Sequence, residues 1–474
     1  MSAVAERLAA SPLVALARRA LGSGEGVWIA GGAIRDAALG REVADLDLAS
    51  AGDPAPLAKA VARESGGHSF QLSAEFATWR AAAADGSWQI DVTALRGETI
   101  EADLAARDFT VGAVAAPLSG GELLDPHGGL ADLDRGVLRV VGEGSFAADP
   151  LRLLRAARLA AELDLDVDLD TAALARAEAA RLAEAAGERQ LVELRQLVGG
   201  PRPLRGLELL GELGLTAVAL PELEALRGVE QGPNHHLDVY GHTLAVLEQT
   251  LELEGELERF AGERASDVRA LLAEPLADEM SRGTALRFGA LLHDVGKPVT
   301  RGERNGYVTF IGHDSDGAEI VAGLCRRLRA SRVLTGHLRA LTLHHLRLGF
   351  LVHEMPLPPR LVHEYLRATE PASVDVTLLT VADRLSARGC GPFATNEAIA
   401  AHLELAREMV AAALDWRRDG PPPPLLPGDE LAAELGMEEG PELGELLAEL
   451  EAAQYAGEIA TRAEAVERAR RILG

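Results

Sequence analysis

The 474-residue chain has two cysteines, Cys325 and Cys390, and two lysines, Lys59 and Lys297. Two thiols cannot build a disulfide framework or a cysteine zinc cluster, and they fit a reducing compartment. Aromatic residues make up only 4%, so the cores must rest on Leu, Ala and Val. Basic residues are outnumbered 47 to 73, a net charge of −26. That excludes a chain coated in nucleic acid, though not a local basic groove. No apolar run approaches the roughly 20 residues of a membrane span. Glu6, Arg7, Arg18 and Arg19 interrupt the apolar N-terminus, which is not read as a signal peptide. A soluble cytoplasmic protein is expected, with no membrane and no protein partner implied.

Apolar residues reach 47% and charged residues 25%, ordinary globular usage. The length sets a prior of about three domains, and the wealth of Ala, Leu, Glu and Arg favours helix. Residues 1–22 read as one amphipathic helix. A short strand follows at Val27–Ala30, then Gly31-Gly32 entering a helix, a strand in ADLDLAS, a helix, and strands near 78–83 and 88–94. Alternating strands and helices indicate an α/β region to about residue 142. From Asp149 onward apolar residues recur at helical spacing. Most of the 13 histidines fall between His235 and His363, and the prolines at 421–424 mark a linker.

Gly31-Gly32, between strand and helix, lets backbone N–H groups approach a phosphate. Asp45 and Asp47, two apart on a strand, share a face. Paired carboxylates repel unless a hard cation lies between them, the arrangement that holds Mg²⁺ on a triphosphate. Asp91, in QIDVT, is a candidate third carboxylate. Asp149 and Arg152, three apart, are expected on one helix face, one offering acceptors and the other a fork of donors. His293-Asp294, near the end of an apolar helix, is expected to stop at Gly296 and Pro298.

The GGAxRD and DxD motifs resemble the head of class II tRNA nucleotidyltransferases and bacterial poly(A) polymerases, of the polymerase-beta-like superfamily. Arg107-Asp108-Phe109-Thr110 is similar to the family's RRDFT motif, with Ala106 in place of the first Arg, and Gly112 stands where Asn is usual. Asp125 to Gly129 resembles its DPxGG turn, and Asp149 to Arg158 its base-reading helix. Glu188-Arg189 with Glu193 resembles a motif that braces the neck. The resemblance implies two Mg²⁺ on Asp45 and Asp47, with Asp91 among the catalytic residues. It places the triphosphate on Gly31, Gly32 and Arg35 and the ribose on Arg107 and Asp108, with Asp36 also among the nucleotide-binding residues. It assigns the base to Asp149 and Arg152, helped by Arg155 and Arg158. Only ten residues separate Arg96 from Arg107. Family members that add a full CCA carry a longer loop there and those that stop after CC lack it, so the resemblance implies a CC-adding enzyme or one that supplies the loop's function otherwise.

His242, His293-Asp294 and Asp383 resemble the HD phosphohydrolase superfamily. The resemblance implies one divalent transition metal or Mg²⁺ on these four residues, and a phosphoester substrate. His313 and His345 extend the set toward a second metal. Lys297 is a candidate phosphate-steering cation. The expected fold class is α+β: a polymerase-beta-like head at 1–145, a helical neck and body at 146–232, an HD domain at 233–390 and a helical tail at 391–474. The expected function is template-independent addition of CC or CCA to tRNA from CTP and ATP. The alternatives are a poly(A) polymerase of the same family, or an HD phosphohydrolase with an RNA-binding head.

Overall fold

A computed structural model describes residues 3–43, 45–74 and 77–474, with the backbone alone at 393. The chain divides into two compact units, Met1–Ala219 and Leu220–Gly474. The second begins earlier than the expected boundary at 233 and includes the tail.

The first unit opens with two helices, Ala3–Ala10 and Pro12–Leu21, in place of the single helix expected. Pro12 disfavours helical backbone at Ser11, which is extended (φ −67°, ψ 128°). The sheet comprises β1 (Val27–Ala30), β2 (Asp45–Ser50), β3 (His68–Ser73), β4 (Thr78–Ala82), β5 (Gln89–Ala94) and β6 (Ala115–Pro117). Its order is β3-β4-β5-β2-β1-β6, with β2 and β5 parallel and the other pairs antiparallel. Ala44, part of the ADLDLAS reading, lies outside the described residues. Edge strand β3 was not expected; its largely exposed residues carry no clean alternation.

Alternation on β2 and β5 decides where the chemistry sits. Leu46, Leu48, Ile90 and Val92 point into the core shared with Ala58 and Val61 of the helix Pro54–Ser65. Asp45, Asp47 and Asp91 therefore project from the opposite face. Beyond the sheet, the helices Arg152–Leu163, Gly187–Gly199 and Pro203–Glu212 pack on one another.

The second unit is helical apart from two short hairpins. Its central helices are Val239–Gly255, Arg282–Leu292, His313–Arg327, Arg332–His344 and Ser373–Ser386. Arg282 and Asp375 form a buried ion pair between two of them. The last three helices, from Gly428 to Leu473, build their own small apolar cluster around Leu431, Leu446 and Ala453. No helix among the described residues is long and apolar enough to cross a membrane.

Candidate active site

The two acidic strands of the sheet meet in register, with Asp45 opposite Gln89 and Asp47 opposite Asp91. Gln89 donates to Asp45 at 2.7 Å. Arg80, on β4, grips both oxygens of Asp91 at 2.7 and 2.8 Å. Asp91 is thus neutralised by a neighbour, which the sequence did not signal. Asp47 stays open to the cleft, yet chain crowds it from the sides. Burial, then repulsion from Asp91 and Asp45, pushes its carboxyl up to about 6 against the pull of Arg107 and Arg35. Clustered hard oxygens with a strained charge fit a divalent cation.

Gly31 ends β1 with φ +76°, and a Cβ there would lie 2.8 Å from Arg107 Nη1. Only glycine allows the arginine to lie across this turn. The helix Gly32–Ala38 follows, with Arg35 paired to Asp36 at 3.0 Å. Arg107 is itself held by Asp103, buried on the helix Ile100–Ala105, at 3.0 and 3.1 Å. Asp103 also accepts from the Arg96 backbone at 3.1 Å. Asp103 thus pins the Arg96 end of the short connection before this helix, Thr99 caps the other end by accepting from Ala102 N–H at 3.3 Å, and Asp103 is a site-shaping residue that sequence reasoning missed.

A cleft of about 1110 Å³ runs from Asp47 past Arg96, Arg107 and Asp108 to Asp149, Arg152, Arg155 and Arg189. Contrary to expectation, Asp149 does not share a helix with Arg152. It is extended (φ −150°, ψ 102°), and the helix begins only at Arg152 because Pro150 intervenes. Both residues nonetheless line the same cleft. Arg152 donates to the carbonyls of Ala106 (2.8 Å) and Arg107 (3.3 Å) and to Ser145 Oγ (2.9 Å). Arg155 pairs with Asp108 at 3.0 Å. Burial alone would raise the Asp108 carboxyl, but Arg155 and Arg152 outweigh it and hold it below the usual range.

Arg158 is turned to Glu193 and Glu162, each at 2.7 Å, and does not line the cleft. It lies about 120° around the helix from Arg152 at 100° per residue, so its role in this structure is bracing. Glu193 is buried and joins Arg155 to Arg158.

In the second unit, His242, His293 and Asp383 bring ligand atoms within 4.8 Å of one another, as do Asp294, His313 and His345. Asp294 links the two groups: one oxygen lies 3.1 Å from His293 Nε2, the other 3.3 Å from His313 Nε2. A carbonyl only accepts, so the contacts of His293, His313 and His345 to Ala290, Phe310 and Thr342 put their protons on Nδ1. In the neutral form of each ring, the form that binds a metal, Nε2 then presents a lone pair; the Nε2 atoms of His313 and His345 are 3.3 Å apart. Buried lone pairs converging on carboxylates fit a metal, with the partner hydrogen bonds already in place. Burial, then His293, pushes His345 down to about 4. Lys297 Nζ lies 2.7 Å from Asp294 and 2.6 Å from Gln231.

The helix Arg282–Leu292 ends ahead of the stop expected at Gly296 and Pro298, and Gly296 is not a left-handed cap. Its φ is −79°, and a short helix, Lys297–Thr300, follows. A Cβ at this position would lie 2.1 Å from the His313 carbonyl oxygen. Glycine here lets the two segments touch, and that contact carries His313 to Asp294. Gly296→Ala is expected to cost about 2–3 kcal/mol in denaturant unfolding, as overpacking does, and to weaken divalent-metal binding by about 10-fold or more in calorimetric titration.

Three domain families match the chain: the Poly A polymerase head domain at 27–139, the probable RNA and SrmB-binding site of polymerase A at 164–226, and the HD domain at 239–388. An A-adding tRNA nucleotidyltransferase of Deinococcus radiodurans is 37% identical over 447 residues, 93% of this chain and 94% of that one. A CC-adding tRNA nucleotidyltransferase of Thermus thermophilus is 34% identical over 444 residues, 92% and 91% of the two chains. A solved CCA-adding enzyme with ATP shares the fold, with a TM-score of 0.64 over 99% of this chain and 98% of that one at 20% identity. Likeness of this extent, over nearly the full length of both relatives, establishes that the chain is an α+β enzyme of the tRNA nucleotidyltransferase family.

Proposed function

We propose that the first unit adds CC to the 3′ end of tRNA, and that the second is a metal-dependent phosphohydrolase. The observation that carries the first half is the acidic face of Asp45, Asp47 and Asp91, from which Asp47 lines a cleft also lined by Asp149 and Arg152. Mg²⁺ bound by Asp45 and Asp47 would activate the RNA 3′-hydroxyl and stabilise the departing pyrophosphate. Gly31, Gly32 and Arg35 hold the triphosphate, with Asp36 pairing to Arg35 at 3.0 Å, and Arg107 and Asp108 hold the ribose. Asp149 accepts from the amino group of the base and Arg152 donates to its ring edge. Cytosine and adenine both offer an amine beside a ring acceptor, whereas uracil and guanine reverse that pattern. The pinned Arg96–Thr99 connection, too short for a mobile loop, supports CC addition. The 37% identity to an A-adding relative favours a second reading, addition of the terminal adenosine.

In the second unit His242, His293, Asp294 and Asp383 would hold one divalent ion, and His313 and His345, with Asp294, another. The nitrogen-rich donors favour a transition metal over Mg²⁺. Bound metal would activate a water toward a phosphoester, and Lys297 would steer the phosphate. This assigns a head to 1–145, a helical neck and body to 146–232, the HD domain to 233–390 and a tail to 391–474, working in the cytoplasm.

The test uses tRNA transcripts ending before CCA, after C and after CC, with CTP, ATP or both. Two cytidines and a stop are the expected products. A single adenosine on the CC transcript alone would assign the chain to terminal A addition. Long A tracts would assign it to polyadenylation, and no incorporation would leave only the phosphohydrolase reading.

A further inference from the structure

Asp149 lies between two helices, so its own backbone does little to aim its carboxylate. Two groups hold it: the Leu151 N–H at 3.2 Å and the guanidinium of Arg189, reaching Oδ2 at 2.8 Å and Oδ1 at 3.3 Å. Arg189 sits in the first turn of the helix Gly187–Gly199 and lines the same cleft. By contrast, Arg152 is fixed by the Ala106 and Arg107 carbonyls and by Ser145. The acceptor and donor halves of the base-reading pair are therefore anchored to different elements. Arg155 and Arg158 are committed to Asp108, Glu193 and Glu162.

We infer that Arg189 is a specificity-determining positioning residue: its fork aims Asp149 so that the carboxylate's remaining lone pairs face the amino edge of the incoming base. This rests on the assignment of Asp149 and Arg152 as base readers. A carboxylate has about four acceptor sites. The fork occupies those turned toward helix Gly187–Gly199 and leaves the others for the nucleotide. The side chains of Arg189 and Asp149 are 47% and 31% exposed, so the pair adds little to stability. Its value is orientation, which a single-point ammonium reproduces poorly.

The experiment compares Arg189→Ala, Arg189→Lys, Asp149→Ala and the Asp149→Ala/Arg189→Ala double variant with the wild type, giving each of the four nucleoside triphosphates singly to the full chain and acceptor tRNA. Arg189→Ala is expected to raise KM for the cognate nucleotide about 10-fold with kcat within about 3-fold, and to relax discrimination against UTP and GTP about 10-fold. Arg189→Lys should recover only part of the discrimination. The double variant should be no worse than Asp149→Ala. Equal losses with all four nucleotides, a lowered kcat with discrimination intact, or additive losses in the double variant would overturn the inference. If Asp149→Ala itself leaves discrimination unchanged, the base-reading assignment fails instead. Thermal melts separate both cases from misfolding, since loss of an exposed pair should shift the midpoint by less than about 3 °C.

Discussion

Replacing Asp47 by Asn is expected to lower nucleotide incorporation at least about 10³-fold and, in EDTA at neutral pH, to make the protein more stable. The first effect follows from losing a ligand whose metal contributes several kcal/mol to the transition state. The second follows from the same carboxylate's strain in the folded chain. Its folded pKa of about 6 exceeds the ordinary value near 3.9. Between those values the folded state binds more protons than the unfolded state, so stability falls as pH rises through that window. Above pH 6 the cost is complete, and the isosteric amide removes it. Mg²⁺ needs the ionised form. Added Mg²⁺ should therefore raise the melting temperature of the wild type at pH 7.5, do little at pH 5, and have no such effect on Asp47→Asn. Asp45→Asn should lose activity to a similar degree. Unchanged incorporation in Asp47→Asn, or an equal Mg²⁺ response in both proteins, would falsify the assignment of Asp47 as a metal ligand.

The residues legible in the sequence are those whose relation is local. Asp45 and Asp47 share a strand, so a period of two placed them on one face without knowledge of the rest of the fold. His293-Asp294 and Gly31-Gly32 were visible for the same reason. Relations across the chain were not. Arg80 neutralises Asp91 through strand pairing, Asp103 accepts from the backbone of Arg96 across the connection before its helix, and Arg189 reaches Asp149 over 40 positions. None of these leaves a periodic trace. At Asp149 two local signals compete, and Pro150, which argues against a helix through 149, prevails over the three-residue spacing to Arg152. Arg158 was grouped with Arg152 and Arg155 by motif, although helical geometry turns it toward Glu193. Gly296 shows that one residue can have two readings. A stop signal and a close contact both call for glycine, and only the His313 carbonyl at 2.1 Å distinguishes them.

Asp294 should show the largest effect in the second unit. Its two buried oxygens face Lys297 at 2.7 Å, His293 at 3.1 Å, His313 at 3.3 Å and His345 at 3.7 Å. Asp294→Ala leaves the buried Lys297 ammonium without its anion, a loss of about 3–5 kcal/mol for a broken buried pair. Asp294→Asn keeps the shape and should cost less, yet it cannot serve as an anionic ligand to either metal group. Phosphoester hydrolysis by Asp294→Asn should fall at least about 10³-fold. Incorporation at tRNA ends should stay within about 2-fold, because the carboxylates that carry it lie in the first unit. The pH dependence is diagnostic. Burial raises the Asp294 carboxyl, but His293 and Lys297 outweigh it and hold it well below the usual range. A depressed carboxylate contributes stability above its unfolded pKa of about 3.9 and loses it as pH falls through the folded value. His293 is in turn raised by Asp294, so the deficit of Asp294→Asn in denaturant unfolding should be largest at about pH 5 to 6, shrink as pH rises through the raised His293 value, and close below about pH 4. A deficit that did not shrink between about pH 6 and 8 would rule out His293 as the partner coupled to Asp294, and undiminished metal binding in calorimetry would remove Asp294 from the ligand set.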